Sequence, residues 1–226
     1  MQTTQRRTLW QRFWEYSREP MSTITHGLGA ILSVFALIAL VWASRHTPGR
    51  AITLAIFGIS MILVYVSSTL WHHYNGSENI LKRLHQFDHA MIYLMIAGSY
   101  TPFTYAFMEG MTGWRWGILI TIWALAVTGL VLKLFFNMYG HLSTLFYVLM
   151  GWVAIIAVPA YIETGEVGAL LWILAGGVVY TIGAVIFALQ RPNLHKHFGH
   201  HEIWHLFVLG GNALHIIAAW RFIVVR

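Results

Sequence analysis

Seven long apolar runs, separated by short polar stretches, set the pattern of this chain. They extend from Thr25 to Ala43, Ala51 to Trp71, His89 to Phe107, Trp114 to Phe136, Leu142 to Tyr161, Val167 to Leu189 and Ile203 to Val225. Each approaches the roughly 20 residues that a helix needs to cross the hydrocarbon core of a bilayer. They are too long for strands and do not alternate as barrel strands do. Between them lie stretches such as "SRHTPGR" (44–50), "HHYNGSENILKRLHQFD" (72–88) and "QRPNLHKHFGHHE" (190–202). The pattern predicts an all-α membrane protein, a seven-transmembrane helix bundle forming one domain over residues 1–226. Ahead of the first run, "LWQRFWEY" (9–16) places Leu9, Phe13 and Trp14 on one helical face, away from Arg12 and Glu15. It predicts a short helix lying in the membrane interface, within an N-terminal segment spanning residues 1–23.

Composition agrees with a lipid environment. Hydrophobic residues make up 58% of the chain and charged residues 10%, against about 25% charged in soluble domains. Cysteine is absent from the sequence, so disulfides and thiolate metal sites are excluded, and any metal must be held by His, Asp, Glu and water. The first nineteen residues include Arg6, Arg7, Arg12, Glu15, Arg18 and Glu19, not the apolar centre of a signal peptide. The net charge of +6 is scattered over short connections, where basic residues orient a membrane protein. Membrane lipids, not nucleic acid, are the partners this implies. One side collects Arg6, Arg7, Arg12, Arg18, Lys82, Arg83, Lys133, Arg191 and Lys196, against Arg45, Arg50, Arg115, Arg221 and Arg226 on the other. The expected topology has a cytoplasmic N-terminus and an outer C-terminus.

That topology gathers most of the histidines at cytoplasmic helix ends; His46 and His215 are the exceptions. The second run closes with "SSTLWHH", where Ser68 and His72 stand one turn apart. The third opens with "HQFDHA", containing Asp88, and the seventh opens with "HEIWH", placing His201 and His205 on one face. The first opens with "EPMSTITHG", holding Glu19, Ser22, Thr25 and His26. Ionisable groups at such depth are costly and face the bundle interior, and imidazoles with a carboxylate and water suit Zn²⁺. Each element also has a plainer account. Ser68 could bond back to a helix carbonyl, and Asp88 could answer a helix dipole. His85 and His89 form a second pair one turn apart. "HEIWH" also reads as the H-E-x-x-H of metalloproteases, with Glu202 as base.

In these residues the chain resembles the hemolysin III group of the progestin and adipoQ receptor family, relatives of the adiponectin receptors. The resemblance runs from Glu19 to the end of the seventh helix. It rests on Glu19, Ser22, Thr25 and His26, then Ser68, His72 and Asp88, then His201 and His205, with "DHAMIYLMIAGSYTPF" and "HEIWHLFVLGG" close to the bacterial branch. It implies zinc held by His72, His201 and His205, with Asp88 near the metal-bound water and Ser68 beside it. It sets aside His85, His89 and His73, and leaves Glu202 as a helix cap. It implies a bacterial inner-membrane protein of membrane lipid homeostasis, its metal near the cytoplasmic face. The expected activity is zinc-dependent hydrolysis of a lipid amide or ester, since relatives resemble alkaline ceramidases in their Ser, Asp and three-His arrangement. The alternative is a non-enzymatic lipid or membrane-state sensor with structural zinc. Pore formation ranks last, because no polar face runs through any span.

Overall fold

The computed structural model describes residues 7–136 and 140–225. Arg6 and Arg226, counted above for orientation, lie outside them. The helices are α1 (Leu9–Tyr16), α2 (Pro20–Ala43), α3 (Pro48–His73), α4 (Glu78–Phe107), α5 (Thr112–Phe135), α6 (Gly140–Trp152), α7 (Val158–Glu163), α8 (Val167–Leu189) and α9 (His200–Ala219). A 3-10 turn, Val153–Ala157, joins α6 to α7, and a π turn, Trp220–Val224, extends α9. The described residues contain no strand. Helix α2 packs on α3, α3 on α4 and α4 on α5, while α8 packs on α9 and α9 returns to α2. Helix α6 closes the gap among α4, α5 and α8.

Six helical segments are long and apolar enough to cross a membrane: α2, α3, α5, the stretch Leu142–Glu163, α8, and His200–Val224. Helix α4, which carries the third apolar run, is the exception. It begins at Glu78, three turns before the expected His89, with Ser77 at the N-cap position and the Glu78 carboxylate favoured in its first turn by the helix dipole. Its apolar stretch is diluted by Ser99, Thr101, Pro102 and Thr104, yet these are buried together with Asp88 and Tyr93. A helix screened by its neighbours need not be lipophilic all round. Helix α2 shows the opposite, with Leu32, Phe35, Ile38 and Trp42 exposed on its outer side.

The fifth run is a broken rod. Pro159 lacks the N–H that would continue the helical ladder, and a side chain from another helix enters the break. The Tyr100 hydroxyl lies 3.1 Å from the Met150 carbonyl and 2.6 Å from that of Gly151, toward which it donates, and it accepts from the Ala154 N–H at 2.7 Å. It stands between the carbonyl of residue 150 and the amide of residue 154, a pair that would bond directly in a regular α-helix.

Two apolar clusters are stacked along the bundle. One is built around Phe57, Tyr65, Tyr93, Ile122 and Met150. The other, farther from the histidines, is built around Leu40, Leu54, Phe103, Phe107, Tyr161 and Ile223. Lys133, assigned above to a connection, is buried near the end of α5, within electrostatic reach of Asp88.

Candidate metal centre

The end of α3 and the start of α9 meet at the same level of the bundle, and the helical repeat decides which of their side chains turn inward. His72 is fully buried, whereas His73, about 100° farther round α3, is exposed. One turn separates His201 from His205 on α9, and both face His72. One ligand nitrogen from each of His72, His201 and His205 lies within 4.8 Å of the others. Their ring centroids are separated by 4.9, 4.9 and 4.8 Å.

Hydrogen bonds to two of the three rings fix which of their nitrogens is free. The Glu19 carboxylate accepts from His72 Nδ1 at 2.5 Å, so His72 Nε2 carries the lone pair. That Nε2 is buried without a hydrogen-bond partner, an arrangement that is costly unless a ligand occupies it. Thr25 donates its only hydroxyl proton to the Ser22 carbonyl at 3.0 Å. His205 Nδ1, 3.0 Å from the same oxygen, must then be the donor, leaving His205 Nε2 free. Neutral imidazoles whose second nitrogen is held by a carboxylate or hydroxyl are the usual ligands of a protein-bound metal. The donor set therefore fits a borderline ion such as zinc.

Glu19 stands just before α2. Burial opposes its charge, but the His72 hydrogen bond and the Arg18 guanidinium beside it outweigh burial and hold its carboxyl below the usual range. Arg18 Nη2 lies 3.2 Å from it. Glu19, Thr25 and His26 belong to the shell of this site, and the sequence reading named them without assigning them a place in it. The His26 ring stacks on His205 with centroids 3.5 Å apart and 13° between planes. Its Nδ1 shares a 2.7 Å hydrogen bond with Ser68 Oγ, and its Nε2 is buried and unpartnered.

Asp88 is buried on α4, in the neighbourhood of Ser68. It does not join the three-histidine group, but Ser68, Asp88, His26, His201 and His205 all line one cavity of about 140 Å³. From the histidines this cavity continues between α4, α6, α8 and α9 past Met95, Ile96, Tyr100, Phe103 and Leu170 to His215. Most of its wall is apolar.

The other expected features fall elsewhere. His85 and His89 have centroids 4.2 Å apart, and His89 Nδ1 donates to the His85 carbonyl at 3.0 Å. Among the described residues no third ligand joins them. Trp71 stands between the pairs, its ring 4.2 Å from His72 and 4.7 Å from His85. Glu202 accepts from the Gly199 N–H at 2.7 Å and from Ser22 Oγ at 2.6 Å, so it caps α9 and ties it to α2.

Comparison with known proteins agrees with this architecture. Residues 14–216 match the family described as Haemolysin-III related. The chain is 42% identical over 211 residues to Hemolysin-3 of Bacillus cereus, covering 90% of this chain and 91% of that protein. It is 39% identical over 201 residues to the Hemolysin-3 homolog of Bacillus subtilis, covering 86% and 89%. A more distant relative is the human monocyte to macrophage differentiation factor, a protein of the progestin and adipoQ receptor type, 28% identical over 179 residues and covering 76% and 71%. An α-helical chain with six membrane-length helices, matched over nearly its whole length, belongs to the haemolysin III-related family of multi-pass membrane proteins.

Proposed function

We propose that this protein is a seven-span bacterial inner-membrane protein with a cytoplasmic N-terminus, and that it holds zinc through His72, His201 and His205 to hydrolyse a lipid amide or ester. Helix α4 is the seventh span, shielded by its neighbours, and residues 1–226 form one domain. The carrying observation is the convergence of three imidazole nitrogens, with two of the rings, His201 and His205, lining a largely apolar cavity. Zinc in such a site acts as a Lewis acid and brings the pKa of a bound water to about 7. Asp88, in the same cavity, takes up a proton as general base. Ser68 donates a hydrogen bond to the oxygen on which negative charge develops. His26, sharing a bond with Ser68, holds that hydroxyl in place. The apolar wall accepts an acyl chain and excludes water. The role in membrane lipid homeostasis follows from such a substrate.

The test is direct. Purified zinc-loaded protein is incubated with a panel of lipid amides and esters, and products are measured by mass spectrometry. Asp88→Asn should keep its zinc and lose turnover by at least about a hundredfold. Zinc-loaded wild type without turnover on any member of the panel would sink the hydrolase reading. One observation favours a second reading, a membrane-state sensor with structural zinc: Ser68 Oγ is already engaged with His26 Nδ1. On that reading the metal joins α3 to α9, and His72→Ala lowers thermal stability without any chemistry being lost.

A further inference from the structure

The three residues that join α1 to α2 grip the last three residues of α3 one for one. Ser17 Oγ shares a 2.7 Å hydrogen bond with His73 Nδ1. Arg18 Nη2 donates to the Trp71 carbonyl at 3.2 Å, and its guanidinium lies over the Trp71 ring at 4.6 Å. The Glu19 N–H donates to the His72 carbonyl at 3.0 Å, while its carboxylate accepts a hydrogen bond from His72 Nδ1. Residues 17–19 are therefore a strap across the end of α3, and their last member touches the metal centre.

Helix α1 is the handle of this strap. It is closed at its start by a capping box between Thr8 and Gln11. Phe13 stacks on His73, with centroids 5.9 Å apart and 10° between planes, and Trp14 meets His197 edge-on at 5.7 Å. The rest of its apolar side is uncovered: Leu9 is 85%, Trp10 59% and Tyr16 72% exposed. Arg12, also exposed, neighbours Tyr16 around the helix. Three linking residues reach at most about 11 Å, so α1 cannot leave the membrane boundary at which α2 enters. An amphipathic helix held there, with aromatic residues beside an arginine, fits a lipid headgroup layer, and the arginine favours an anionic one.

We propose that α1 seats Leu9, Trp10 and Tyr16 in an anionic phospholipid surface with Arg12 at the phosphates, and that this seating keeps the 17–19 strap on α3 and slows the loss of zinc. The proposal rests on the zinc reading above and adds what regulates that site. The experiment uses the full chain, zinc-loaded, in nanodiscs of phosphatidylcholine alone or mixed equally with phosphatidylglycerol. Zinc release into excess chromogenic chelator is followed by absorbance. Release should be about fivefold slower in the mixed lipid, the equilibrium worth of one arginine at an anionic surface. Leu9→Ser with Trp10→Ser changes only exposed side chains, and should abolish the difference between lipids. Ser17→Ala should give fast release in both. Equal wild-type rates in the two lipids, with zinc bound, would overturn the proposal alone, as would a lipid difference that survives in the Leu9→Ser, Trp10→Ser protein. Protein without zinc in either lipid would overturn the zinc reading and the proposal together.

Discussion

Two pairs of histidines, each spaced one helical turn apart, both contact Trp71, and among the described residues only one of them belongs to a group that could hold a metal ion. His201 and His205 meet a third imidazole, His72, and the rings are oriented from behind by Glu19 and Thr25. In the other pair, His89 spends its Nδ1 on the His85 carbonyl of its own helix, and no third ligand converges among the described residues. Spacing places two ligands on one face. What makes a site is a third ligand from another helix, and partners that turn each lone pair inward. The comparison separates the chemistry of a motif from the chemistry of its surroundings.

The most severe way to break it is to remove the third ligand. His72→Ala should reduce bound zinc from about one ion per chain to nearly none, and zinc should no longer raise the unfolding temperature. Metal analysis and thermal unfolding with and without zinc check both. Glu19→Gln keeps all three ligands but removes the carboxylate behind His72. Its zinc affinity, from competition with a chelator, should fall by about 10- to 100-fold. Thr25→Val leaves His205 Nδ1 without its hydroxyl partner. A neutral hydrogen bond of roughly 1 kcal/mol predicts a loss of about fivefold in the same titration. At the small end, His85→Gln combined with His89→Gln should leave zinc content and affinity unchanged; a loss matching that of His72→Ala would erase the distinction between the pairs.

The sequence made the helices plain because lipid imposes a length: six of the seven apolar runs coincide with helices long enough to cross it. It also pointed to the histidines that converge, since the resemblance names His72, His201 and His205 and the structure brings their nitrogens together. What it hid depends on contacts between distant residues. Nothing local to Pro159 reveals that Tyr100 enters the fifth run. Nothing near His205 points to Thr25, which lies 180 residues away. The early start of α4 was hidden because polar residues before His89 read as a loop, although one of them, Asp88, is buried. Lys133, counted among the basic residues that orient the chain, is buried by the packing of α5.

The hydroxyl of Tyr100 has a mechanical consequence. In a regular span every backbone pair is closed on itself, and bending it means opening peptide hydrogen bonds in a medium with nothing to replace them. Here the joint between α6 and α7 is bridged by a phenol that donates on one side and accepts on the other. The two half-rods are thus articulated rather than fused. The cavity has one wall whose angle is set by a side chain of the facing helix, so substitutions at position 100 tune the shape of the chamber without touching the three histidines.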